Sequence, residues 1–187
     1  MPEDVLIAST KSVIGSDTRN VAPSSRTLAA TQGVDSCWTV RDQGNEGIDM
    51  GILDGKVALI TGGGQGVGRG IALALASEGA SIAITGRTAS TLESAVTEIE
   101  GRGVRAIALP GDVKNDADIE DGVVATVREL GTVDILVNNA QQVPLGPLLE
   151  MSRDDLDVAW RSGPLAAFSY MKACHPHLVG GGVVINL

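Results

Sequence analysis

Aromatic residues are nearly missing from this chain: one Phe, one Tyr and two Trp in 187 residues. Its core must therefore be built from Ala, Val, Ile and Leu, which suits layered strands and helices. Cysteine is as scarce. Cys37 and Cys174 are the only two, and their distance in sequence argues against a disulfide framework and fits a reducing compartment. Clusters of Lys and Arg are absent and the net charge is −9. That disfavours nucleic acid and anionic membrane surfaces as partners. No run is long and apolar enough to span a bilayer. The opening residues carry Glu3 and Asp4 and no apolar segment, unlike a secretory signal. The expected location is the cytoplasm.

What is present is organised around Val57–Ala72. An apolar run fit for a buried parallel strand breaks into glycines at Gly62, Gly63, Gly64, Gly66 and Gly68, then resumes as a helical pattern. Gly62, Gly66 and Gly68 have the spacing that allows a tight turn, close approach of a ligand and close packing of helix on strand. A helix starting near Gly66 to Gly68 aims its free N–H groups and positive dipole end at the turn, a site for a pyrophosphate. Glycines alone also fit a flexible loop, but the strand before them and the helix after them supply the context that a dinucleotide motif needs. A P-loop is excluded, because Arg69 and Gly70 stand where Lys and Ser/Thr are required.

Downstream, helical and strand patterns alternate. Ile71 to Leu75 belong to an Ala/Leu-rich helix stopped by Gly79. Ser81–Thr85 is a second strand, followed by Gly86-Arg87-Thr88. Leu92, Ala95, Val96 and Ile99 mark a helix capped by Thr88 or Ser90 and ended at Gly101 or Gly103. Arg105–Leu109 is a third strand, Asp116–Leu130 a third helix with acids at its positive end, and Val133–Val137 a fourth strand. Ser152 to about Leu178 reads as one long helix with Ser152 as N-cap, bent or interrupted at Pro164. Val183–Leu187 is a fifth strand. This alternation predicts a doubly wound parallel sheet of the Rossmann type, with ligands at the carboxyl ends of its strands.

Thr61, Gly62, Gly66 and Gly68 match the Thr-Gly-x-x-x-Gly-x-Gly signature, and from Met50 to Leu187 the chain resembles the short-chain dehydrogenase/reductase family. The resemblance implies hydride transfer between a nicotinamide cofactor and a carbonyl or alcohol substrate, and a homo-oligomeric full-length parent. It implies cofactor contacts from Gly62, Gly64, Gln65, Gly66, Val67 and Gly68. Asp112 and Val113 would flank the adenine, although Asp112 also fits a loop residue bonding its own backbone. Asn138, Asn139 and Ala140 would steady the sheet and line the nicotinamide ribose, with Gln141 in place of the family's glycine. NAD specificity needs an acid at the end of the second strand; here Gly86 stands there with Arg87 beside it, which points to NADP. A solvated surface arginine is the plainer reading of Arg87.

The family's catalytic Ser, Tyr and Lys find no match, so no residue is assigned a catalytic role. The one tyrosine, Tyr170, has Cys174 rather than Lys four residues on, and the family's helix Asn falls about where Trp160 and Arg161 stand. Cys174, His175 and His177 fit no familiar zinc spacing, so no metal is expected. Met50 resembles the natural opening of a family member, and residues 1–49 read as a disordered or non-native extension. Leu187 reads as a truncation point that leaves the sheet incomplete at its C-terminal edge, with an uncovered fifth strand and a tendency to self-associate. Three readings follow: an oxidoreductase cut short and inactive alone, a non-catalytic dinucleotide-binding or regulatory module, and a fragment that folds poorly.

Overall fold

The computed structural model describes the backbone of residues 6–8 together with residues 51–178 and 180–187. The remainder of the expected extension, including Cys37, lies outside the described residues. Among them six strands form one parallel sheet: β1 (Leu6–Ala8), β2 (Val57–Thr61), β3 (Ser81–Gly86), β4 (Ala106–Pro110), β5 (Ile135–Asn138) and β6 (Val183–Asn186), in the order β1-β6-β5-β2-β3-β4. The strand order reverses between β2 and β5, so the doubly wound arrangement has its crevice there, at the carboxyl ends.

Period-2 alternation along β2 decides which helices cover which face. Ala58 and Ile60 point to the layer made by α1 (Gly66–Ser77) and α2 (Ala89–Glu100), where they meet Ala72, Ala76, Leu92, Ala95 and Ile99. Leu59 points the other way, into a cluster with Ile119 and Val123 of α3 (Asp116–Leu130) and Tyr170, Cys174 and Leu178 of α5 (Ala166–Leu178). All five residues of β2 are buried, as a strand covered on both faces requires. The core is aliphatic, with Tyr170 as its one aromatic among the described residues.

Helix ends follow their local chemistry. The Asn115 side chain caps α3 by accepting from Ala117 N, with Asp116 and Asp118 in the first turn, and Gly131 closes it at φ 101°. The Ser152 hydroxyl accepts from Asp155 N while the Asp155 carboxylate accepts from Ser152 N, a reciprocal cap at the start of α4 (Arg153–Trp160). That hydrogen bonding holds the Asp155 carboxyl below its ordinary range.

One feature refines the sequence reading and a second departs from it. The long helix is α4 and α5 joined by a π-helical turn, Arg161–Leu165, which contains Pro164. The proline has no N–H to give, and the widened turn absorbs the break without ending the rod. Second, β6 is not left bare: Leu6, Ile7 and Ala8 pair in parallel with Val183, Val184 and Ile185. Three residues from the supposed extension thus supply backbone partners to the strand expected to stand uncovered.

Leu59 is fully buried between β-strand neighbours and α3. Leu59→Ala is expected to cost about 2–5 kcal/mol of stability, the range for a buried leucine truncated to leave a cavity, measured by urea unfolding.

Candidate cofactor site

The crevice is set by a hydrogen-bonded junction between β2 and β5. Thr61, buried at the end of β2, accepts at its hydroxyl from Asn139 N (3.0 Å) and Ala140 N (2.9 Å). The Asn139 amide answers by donating to Thr61 O (2.9 Å) and Gly62 O (3.3 Å). The chain leaving β5 is thereby fastened to the glycine turn leaving β2.

Two glycines are demanded by this junction. Gly62 sits at φ 68°, and a Cβ on it would lie 2.9 Å from Asn139 Nδ2. A Cβ on Gly68 would lie 2.4 Å from Gly62 O, so only glycine lets the first turn of α1 lie against the loop. The N-terminus of α1 then faces the crevice. Gln65, its N-cap, makes no side-chain cap hydrogen bond, and the first turn holds no acid. Its amide dipole end is left to act on whatever lies in front of it.

A cavity of about 310 Å³ opens there. Gly62, Gly64, Gln65 and Gly66 form its floor, Gly86 and Arg87 its β3 side, Asp112 and Val113 its β4 side, and Asn139 and Ala140 its β5 side. Nine of the twelve residues singled out from sequence therefore meet in one place. The other three do not line it: Val67 is exposed on α1, Gly68 is buried beneath the turn, and Asn138 faces elsewhere. Arg87 is exposed at the rim.

Asp112 does what an Asx turn does: its Oδ1 accepts from Lys114 N at 3.0 Å. Its own N–H donates to Asp118 Oδ2 at 2.8 Å, which ties the β4 loop to the start of α3. Residues not singled out from sequence complete the wall: Thr88, Thr91, Lys114, Gln142 and Ser162. Lys114 Nζ reaches Gln142 Oε1 at 3.4 Å across the mouth. Ser162, buried in the π turn, accepts from Gln142 N at 2.9 Å and donates to Val158 O at 2.8 Å. Its small hydroxyl next to a widened turn carries no sequence motif; the signal was Pro164 two residues later.

A second cavity of about 350 Å³ lies on the other side of Ala140 and Gln141, between the ends of β5 and β6 and helix α5. Asn138 lines it and donates from Nδ2 to Asn186 Oδ1 at 2.9 Å, while its own Oδ1 is buried with no partner among the described residues. Tyr170 borders it from the core. It is 3 % exposed, its hydroxyl stands 3.5 Å from Thr85 Oγ1, and burial raises its pKa above the ordinary phenol value. Cys174 lies on the same buried line, with a thiol pushed up to about 12 by desolvation, whereas His175 and His177 face solvent. The three candidate ligands therefore point apart, and among the described residues no group of His, Cys, Asp or Glu is arranged to hold a metal ion.

Thr61→Val keeps the shape of the junction but strands the N–H groups of Asn139 and Ala140. At about 1–3 kcal/mol for each unsatisfied, part-buried group, a loss of roughly 2–6 kcal/mol is expected, read as a lower denaturation midpoint with an unchanged slope.

Comparison with known proteins agrees with this geometry. The family model for short chain dehydrogenase matches residues 56–187. The chain is 43% identical over 146 residues to a 12alpha-hydroxysteroid dehydrogenase of Clostridium sp., covering 73% of this chain and 56% of that protein. Among solved structures it is similar to a short chain dehydrogenase from Burkholderia cenocepacia in complex with NADP, with TM-score 0.69 and 36% identity, covering 72% of this chain and 55% of the other. It is equally similar to an NAD+-bound xylitol dehydrogenase, with TM-score 0.69 and 30% identity, covering 72% and 53%. The chain spans about half the length of the curated relatives it matches. With the glycine turn, the Thr61–Asn139 junction and the doubly wound sheet in one continuous match, this chain belongs to the short-chain dehydrogenase family.

Proposed function

We propose that the chain is the NADP-binding part of an oxidoreductase acting on a carbonyl or alcohol substrate. In domain terms, residues 50–187 are a dinucleotide-binding unit that covers part of the family's length, and residues 1–49 are an extension to it. The observation that carries the reading is the convergence of the Gly62–Gly66 turn, the open α1 N-terminus and Arg87 on one cavity. The residues fit the cofactor. The glycine floor is open at Gly66, where a Cβ would meet nothing within 4 Å, and first-turn N–H groups facing the cavity suit a pyrophosphate. Asp112 and Val113 suit an adenine edge and face, and Asn139 and Ala140 a ribose. When bound, the cofactor supplies the hydride; the protein binds and orients it.

NADP is preferred over NAD in this reading because the end of β3 offers Gly86 and Arg87 in place of an acid. An arginine there matches a 2′-phosphate bidentately. Arg87→Ala is expected to weaken NADPH binding by about 1.5–3 kcal/mol, the scale of hydrogen bonds to a charged group, and NADH binding much less. Parallel fluorescence titrations with both cofactors decide it, and equal losses would refute the assignment. A cytoplasmic location and a homo-oligomeric state belong to the same proposal.

One observation favours a second reading, a chain of 187 residues that binds cofactor without turnover. Its only tyrosine is buried where the core meets the second cavity, with Cys174 rather than a lysine one helical turn on. A buried phenol with a raised pKa makes a poor acid or base at neutral pH. Purified 187-residue chain is therefore expected to bind NADPH yet oxidise it with a carbonyl substrate no faster than buffer does. Proton transfer alone is worth about 10²–10⁴-fold, so turnover above background in an absorbance assay would overturn this reading.

A further inference from the structure

We infer that Gln141 is a positioning residue for the nicotinamide nucleoside of the cofactor, its carboxamide hydrogen-bonding that half of the molecule where it passes the joint between the two cavities. The inference rests on the NADP reading above and adds a contact which that reading does not contain. Gln141 stands in place of the family's glycine, so its side chain is particular to this chain. With Ala140 it borders both cavities, the one in front of α1 and the one between β5, β6 and α5. Ala140 offers only a methyl group there. Among the described residues the neighbouring hydrogen bonds are made by Gln142 Oε1 and by the N–H groups of Ala140 and Gln142, and none by the Gln141 amide. One carbonyl acceptor and two N–H donors are therefore free at the joint.

The backbone beneath this exposed side chain is what makes it a positioning group. Ala140 N donates to the Thr61 hydroxyl at 2.9 Å, and Gln142 N donates to the Ser162 hydroxyl at 2.9 Å. Gln141 is thus pinned on both sides, once to the end of β2 and once to the π turn. Its side chain then runs along Gly163 in that turn. A Cβ added to Gly163 would lie 3.9 Å from Gln141 Oε1 and 4.0 Å from Gln141 Cβ, ordinary contact distances. The bare glycine gives the glutamine a wall to lie on without crowding it. A polar group on a fixed backbone and against a wall has less freedom to lose on binding than a loose one.

Size and direction bring the nicotinamide half to this point. The first cavity, about 310 Å³, is at the low end of the range of about 300–1,000 Å³ for drug-sized ligands. A dinucleotide carries two nucleosides and a pyrophosphate, more than that space holds. With the adenine at Asp112 and Val113 and the pyrophosphate at the α1 N-terminus, the first cavity is taken up as far as its β5 side. The second nucleoside leaves past Asn139 and Ala140, and the next side chain it meets is Gln141. Beyond Gln141 the second cavity opens, with about 350 Å³. The polar parts of that nucleoside are a vicinal ribose diol and a carboxamide. Each offers both donors and acceptors, which the glutamine amide can answer in kind.

The test is calorimetric binding to the 187-residue chain, which needs no turnover. NADPH is compared with 2′-phospho-ADP-ribose, which lacks the nicotinamide ring, and with 2′,5′-ADP, which lacks the whole nicotinamide nucleoside. Gln141→Leu keeps the bulk of the side chain and removes its hydrogen bonds; Gln141→Gly restores the family's residue. Both variants should raise the NADPH dissociation constant by about 10-fold, the scale of one or two neutral hydrogen bonds. Both should leave 2′,5′-ADP binding and the thermal transition of the free chain unchanged, and alter the fluorescence of bound NADPH. A loss that extends to 2′-phospho-ADP-ribose supports a contact to the ribose diol; a loss confined to NADPH supports a contact to the carboxamide. Unchanged NADPH affinity, a loss shared by 2′,5′-ADP, or a loss in Gln141→Leu that Gln141→Gly does not show overturns the inference and leaves the NADP reading standing. A parent chain that binds none of the three overturns the NADP reading and this inference with it.

Discussion

Everything at the carboxyl end of the sheet depends on one buried hydroxyl. Thr61 has two backbone N–H donors to satisfy, from Asn139 and Ala140, and the Asn139 amide returns two hydrogen bonds to the β2 exit. Buried polar groups of this kind cost little when all are paired and much when one is not. The network therefore admits one arrangement of the two loops. That arrangement forces Gly62 into a left-handed conformation and forbids a Cβ on Gly68, so the glycine spacing follows from the junction. With loop and helix pinned, the α1 N-terminus has a fixed direction, and the cavity in front of it is a consequence of the backbone.

How much of this was legible in sequence varies with how local the cause is. Strands and helices in the 57–138 region were readable because each carries a full period and a chemical stop: apolar runs in β2 and β3, four-residue recurrences in α2 and α3, and Gly131 at a left-handed end. The cavity walls were readable where a motif fixes backbone, as at Gly62, Gly64, Gly66 and Asp112. They were not readable where a wall residue owes its place to tertiary structure. Lys114 and Gln142 meet across the mouth only after β4 and β5 are aligned. Ser162 reaches Gln142 only because the helix widens. β1 has three residues and no period of its own; its pairing is a property of the β6 edge it lies on.

Tyr170 shows how a residue with chemical potential is assigned by its surroundings. In sequence it was the sole tyrosine in a chain resembling a family that works through one. In the fold it stands on the inner line of α5 with Cys174 and Leu178, against Leu59 and Val184. Desolvation raises the pKa of both Tyr170 and Cys174, so the groups stay neutral and serve as packing. The scarcity of aromatics makes the placement consequential: the largest filler of this layer is the one ring available to it.

The π turn at Arg161–Leu165 fixes part of the cavity wall. A proline in a helix removes one N–H and crowds the carbonyl of the preceding turn; the chain answers by widening there and continuing. On the inside, the widened turn frees Ser162 to hold both Gln142 N and Val158 O, so the loop beyond Ala140 is fixed at the cavity rim. A break in one hydrogen-bond ladder thus sets one wall of the cavity. Relaxing the turn to a regular helix would rotate the Ser162 hydroxyl away from Gln142 and release the loop it holds.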